Sequence, residues 1–150
     1  MKINNFYSDP KLLADPKLLD KKAGIDVTAH ELVHAEVVNR VGYLTRLLEI
    51  PTWFDEGVAM QVDYRPKYHI NKIDQKELER ATSLTSAGKF WTNSAEENIK
   101  NYRASKAAVS KLFPDIDKRL YSILSRIEAG DSFVDASEIN KTNQAFNRTP

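Results

Sequence analysis

At 150 residues, 41% of them apolar and 29% charged, the chain has the make-up of one globular domain large enough to bury a core. A net charge of +1, with basic residues interleaved among acidic ones, points to neither nucleic acid nor an anionic membrane as partner. The absence of cysteine excludes disulfides, thiolate-held metal and thiol nucleophiles together.

No run approaches the roughly 20 apolar residues that span a bilayer. The opening Met1–Pro10 holds no apolar stretch of the kind a secretion signal needs, so a cytoplasmic location is the expectation. Residues 1–24 are weakly patterned, and short strands remain possible before residue 26. Two near-copies, Asp9-Pro10-Lys11-Leu12-Leu13 and Asp15-Pro16-Lys17-Leu18-Leu19, read as turn-helix punctuation, because their period is too short for a stacked repeat.

The first clear helix begins near Asp26 or Thr28, where Thr28 and Glu31 can form a capping box. His30, Val33, His34, Val37 and Val41 form one stripe, and Gly42 marks the end. Pro51 and Thr52 open a second helix, with Thr52 as cap, running to about Asp63 before Pro66. Asp74-Gln75-Lys76-Glu77 caps a third, to about Ser86, with Gly88 beyond it. Ser94 opens a fourth, with Ile99, Tyr102, Lys106, Val109 and Phe113 along one face and Pro114 closing it. Asp115 or Asp117 begins a fifth, striped by Ile116, Leu120, Ile123, Leu124 and Ile127 up to Gly130. One more short helix fits after Asp131, and Asn147–Pro150 is expected to fray. The chain reads as a single, mainly α domain with its core over about 25–135.

The chemistry concentrates in His30-Glu31-Leu32-Val33-His34. A helix advances about 100° per residue, so imidazoles four positions apart stack on one face, and both can reach one tetrahedral zinc ion. Glu56, after 21 intervening residues, sits in the first turn of the second helix within Trp53-Phe54-Asp55-Glu56-Gly57. As third ligand it leaves the fourth position open, as in catalytic rather than structural sites. First-turn acids also favour the helix dipole, and Asp55 shares that turn. Gly57 leaves room for close backbone approach.

His30-Glu31-x-x-His34 with Trp53-x-x-Glu56-Gly57-x-Ala59 resembles the gluzincins, the thermolysin and aminopeptidase N class of zinc peptidases, and most closely their small minimal domains. Tyr102-Arg103-Ala104-Ser105-Lys106-Ala107 and Gly130-Asp131-Ser132-Phe133 are similar more faintly. The resemblance implies a zincin-like helical domain holding one zinc ion per chain through His30, His34 and Glu56. It implies Glu31 as general base, Tyr102 as catalytic hydrogen-bond donor, and a peptide or protein as substrate. Tyr102 has an alternative reading as a core residue on the stripe with Ile99 and Val109.

Three features depart from related patterns. Val37 and Arg40 stand where the metzincin extension needs glycine and histidine. The Gly-x-Met-x-Asn segment that grips a free amino terminus is missing. Only 29 residues precede His30, which leaves little or no N-terminal β-sheet. A binding or regulatory module that keeps the zinc but turns over weakly is therefore the second expectation, and a metal-free helical interaction domain the third.

Around the site, Asp55, Asp63 and Asp26 are alternative carboxylates for orienting a histidine ligand. His69 is expected in a loop, and Trp53, Phe54 and Trp91 as core anchors.

Overall fold

The structure is a computed structural model that describes residues 16–70 and 74–140, the side chains of 16–20 excepted. Every regular element among these residues is a helix, and none is a strand. The expected mainly helical chain is what forms. The copy Asp9–Leu13 and the tail Asn147–Pro150 lie outside the described residues.

Helix α1 (Pro16–Val41) starts well before the expected Asp26. Pro16 suits a first helical position, where its fixed φ is pre-set and its missing N–H is not needed. Thr28 is therefore not a cap. It lies inside the helix, its hydroxyl donating to the Gly24 carbonyl at 2.9 Å. The other end is as expected: Gly42, at φ +81°, stops the helix in a conformation that side chains disfavour. The chain then enters α2 (Tyr43–Glu49), an unforeseen helix that buries none of its residues and turns Leu44, Leu47 and Leu48 to solvent.

Helix α3 (Thr52–Ala59) begins where Pro51 and Thr52 place it, but Pro51 holds the cap position and no side-chain cap bond forms. Its last turn tightens into a 3-10 segment, Met60–Val62, and the chain leaves the helix at Asp63. After a second 3-10 turn, Pro66–Tyr68, Asp74 and Glu77 make the reciprocal capping box that opens α4 (Gln75–Ser83). This helix stops short of Ser86, and Gly88, expected beyond a helix end, lies within the short α5 (Ala87–Phe90). Ser94 caps α6 (Ala95–Leu112) through the Glu97 N–H. Helix α7 (Ile116–Glu128) ends near Gly130 at φ +104°, and Ser132 caps α8 (Phe133–Ser137).

Helix α3 is the hub. Every residue from Trp53 to Ala59 is buried, and the helix packs on both α1 and α6, while α7 lies against α1 and α8. Phe54 stacks its ring 4.8 Å from that of Phe133 and 5.3 Å from that of Phe113, which puts aromatic mass at the centre of one continuous core. The α7 stripe buries as expected, with Leu120 packed partly against the core.

The α6 stripe does so only at its C-terminal end, where Val109 and Phe113 are fully buried. Its buried face is Asn101, Ala104, Ser105, Ala108, Val109 and Leu112, while Ile99, Tyr102 and Lys106 are only partly covered. Small residues win that face because α3 comes so close. A Cβ placed on Gly57 would lie 2.6 Å from the Ser105 carbonyl oxygen and 2.6 Å from Val109 Cγ2.

Candidate metal centre

Two adjacent turns of α1 present His30 and His34 to α3, which presents Glu56 from its own first turns. All three are buried, with relative exposures of 5%, 8% and 3%. Their Nε2, Nε2 and Oε2 atoms form a nearly equilateral triangle: 3.2 Å between the nitrogens, and 3.3 and 3.4 Å from His30 and His34 to Glu56. A tetrahedral zinc ion with ligands at about 2.0–2.1 Å spaces them about 3.3–3.4 Å apart. The triangle thus has the size of one face of such a tetrahedron. Glu56 Oε2 makes no aligned hydrogen bond although it is fully buried, a cost that a cation at the triangle would remove. The donor set of two imidazoles and one carboxylate suits such an ion.

A carboxylate stands behind each imidazole. His34 Nδ1 is 3.2 Å from Asp55 Oδ2, and His30 Nδ1 is 3.9 Å from Asp63 Oδ2. Of the three candidates in the sequence, Asp55 lies within hydrogen-bond distance of its histidine, whereas Asp63 is the carboxylate nearest His30 but leaves the buried Nδ1 without a hydrogen bond. Asp26 is buried one turn before His30 and interacts electrostatically with Arg65 and Lys106.

Each carboxylate is in turn held by an arginine. Arg46, from α2, donates Nε at 3.0 Å and also Nη2 to Asp55 Oδ2. Arg65 donates Nε to both Asp63 oxygens at 3.0 Å, and its backbone N–H also reaches Oδ1 at 3.0 Å. Lys106 on α6 donates to the Asp63 carbonyl.

These neighbours set the protonation of the metal-free site. Burial alone would push His34 down, but hydrogen bonds and charges from Asp55 and Glu56 outweigh it and raise its pKa to about 9. Burial likewise opposes ionisation of Asp55 and Glu56, yet the imidazoles, and for Asp55 the guanidinium, hold both below the usual carboxylate range.

Glu31 lies next to His30 but is exposed and is not one of the converging three. Its charge nevertheless reaches Tyr102, whose pKa is raised by burial first and by Glu56, Tyr68 and Glu31 after it. The Tyr102 ring lies 6.2 Å from that of His30, and its hydroxyl accepts a hydrogen bond from Trp91 Nε1 at 3.1 Å. Tyr102 is thus a half-buried wall of the site.

Trp91 is no core anchor. It is 45% exposed and occupied with Tyr102, because it follows α5 into a loop while Phe90 takes the buried position. Trp53 and Phe54 are buried as expected, and His69 is exposed in a loop.

Sequence reasoning missed Arg46, Arg65 and the role of Trp91. Arg65 had a local signal, since an aspartate two residues earlier makes an Asx-type turn. No spacing rule links residue 46 to 55 or 91 to 102, because those contacts arise only when separate helices pack.

No protein-family model matches the chain, and comparison with curated proteins and with solved structures gives no match either.

Proposed function

We propose that this chain is a zinc-dependent peptidase of gluzincin type, hydrolysing peptide bonds with Glu31 as general base. The observation that carries the reading is the buried triangle of His30, His34 and Glu56, sized for one tetrahedral ion. Zinc held there would polarise a substrate carbonyl and lower the pKa of a coordinated water toward about 7.

The remaining roles fall to side chains. Glu31, next to a ligand yet outside the ligand set, is free to accept the water's proton and to pass it to the leaving amine. Tyr102 accepts from Trp91, so its own hydroxyl proton is free to donate to the carbonyl oxygen as negative charge builds there. Its raised pKa keeps that proton in place at neutral pH.

One observation favours a second reading, a zinc-binding module with weak turnover. The described residues contain no strand, and hence no sheet edge against which an extended peptide could lie.

The variant Glu31→Gln tests the first reading. It should retain zinc while losing hydrolysis across a broad peptide library. Zinc-loaded wild-type protein that cleaves nothing in that library would support the second.

A further inference from the structure

The geometry points to Arg46 and Arg65 as positioning residues, each holding the carboxylate nearest the Nδ1 of one imidazole ligand. The inference rests on the proposed metal site but not on peptidase activity.

The two branches run through the same residue types at different distances: His34 Nδ1 lies 3.2 Å from Asp55, whereas His30 Nδ1 lies 3.9 Å from Asp63 and makes no hydrogen bond. Behind His34 stand Asp55 and then Arg46; behind His30 stand Asp63 and then Arg65. An imidazole binds a metal through Nε2 only when Nδ1 carries the proton, and a carboxylate facing Nδ1 selects that tautomer. A lone buried carboxylate would be costly and free to rotate. A guanidinium neutralises the carboxylate; Arg65 holds both oxygens of Asp63, while Arg46 places two N–H groups on Oδ2 of Asp55 alone.

Neither arginine comes from the helix bearing the histidines, so each also ties another segment to the site. Arg46 reaches in from α2, a helix with no buried residue of its own. Its Nη2 donates to Asp55 and also lies 2.9 Å from His34 Nδ1. Because a guanidinium only donates, metal on Nε2 requires the Nδ1 proton to turn to Asp55 and Arg46 to bond the carboxylate alone. Arg65 is seated with its guanidinium carbon 4.8 Å from the centre of the Tyr68 ring, while Lys106 fixes the Asp63 backbone from α6.

The branches also balance charge. With both arginines present each Asp–Arg pair is neutral, so a divalent ion with one carboxylate and two neutral imidazoles keeps a net positive charge at the site.

The test uses the metal alone. Zinc affinity of the full chain is measured by competition with a chelator for wild type, Arg46→Gln, Arg65→Gln and Arg46→Lys, and the cobalt-loaded forms are compared by visible absorption. Each glutamine variant should bind zinc about 10–100-fold more weakly and shift the cobalt bands. Arg46→Lys should fall between, because an ammonium can still hold Asp55 but through fewer fixed hydrogen bonds. Metal-free circular dichroism checks folding, and if a glutamine variant fails to fold, the lysine variant carries the comparison for that branch, with Arg65→Lys in its turn. Folded variants with wild-type zinc affinity and unchanged cobalt bands would overturn the inference. Wild-type protein that binds no zinc would instead overturn the site itself.

Discussion

Gly57 packs against the backbone of Ser105 so closely that no side chain fits between them, a Cβ there falling 2.6 Å from the Ser105 carbonyl oxygen. That contact sets the spacing of α3 and α6, and it lies one residue from Glu56. Gly57→Ala must therefore push the helices apart, because the obstructing atom is backbone and cannot swing away. The expected cost is about 1–3 kcal/mol of stability, read by denaturant unfolding, together with weaker zinc binding as Glu56 is displaced. Unchanged stability would show that the helices can slide without strain.

Acidity should govern metal loading through His34. Its pKa in the metal-free protein is raised from 6.5 to about 9. The protonated imidazole therefore adds stability that is fully present below pH 6.5 and is lost as pH rises through about 9. Zinc must displace that proton, so apparent affinity should climb with pH up to about 9, by about tenfold per unit for one proton released. Chelator competition across that range, beside thermal unfolding of the metal-free protein, reads both trends. Affinity independent of pH would contradict them.

The hydroxyl of Tyr102 and the indole of Trp91 should be separable. Tyr102→Phe keeps the ring against Phe90 and Tyr68 but loses the donor. If Tyr102 donates to the carbonyl oxygen as proposed, hydrolysis should fall about 100- to 1,000-fold with zinc content unchanged. Trp91→Phe removes only the bond that orients the hydroxyl, worth about 1 kcal/mol and so roughly fivefold in rate. Equal effects of the two would mean that Trp91 acts on substrate in its own right.

Phe54→Ala probes the core apart from the site. Its ring touches three aromatic neighbours and is 1% exposed. Truncation should cost about 3–5 kcal/mol in equilibrium unfolding. A smaller loss would mean that the surrounding rings collapse into the space.

The parts of this molecule legible in its sequence are those governed by short-range rules. The i, i+4 spacing of His30 and His34, the capping pairs Asp74/Glu77 and Ser94/Glu97, and the stops at Gly42 and Gly130 each depend on one helical turn or less. Helix type was legible for the same reason.

What escaped depends on packing between helices. The buried face of α6 is chosen by how near α3 approaches, so alanines and a serine displaced the more apolar Ile99 that periodicity favoured. Thr28 looked like a cap because capping residues and interior threonines share one side chain, and only the preceding turns decide between them. Arg46 and Arg65 carry no metal-binding signature at all. Their roles follow from where Asp55 and Asp63 come to lie.

The most direct measurement is the zinc stoichiometry of purified wild type, His34→Ala and Glu56→Gln, each shown to be folded. The account predicts one zinc per wild-type chain, and about 100-fold or greater weakening in each variant as a ligand is removed. Folded wild-type protein that takes up no zinc, or a Glu56→Gln variant that binds it as tightly as wild type, would contradict it.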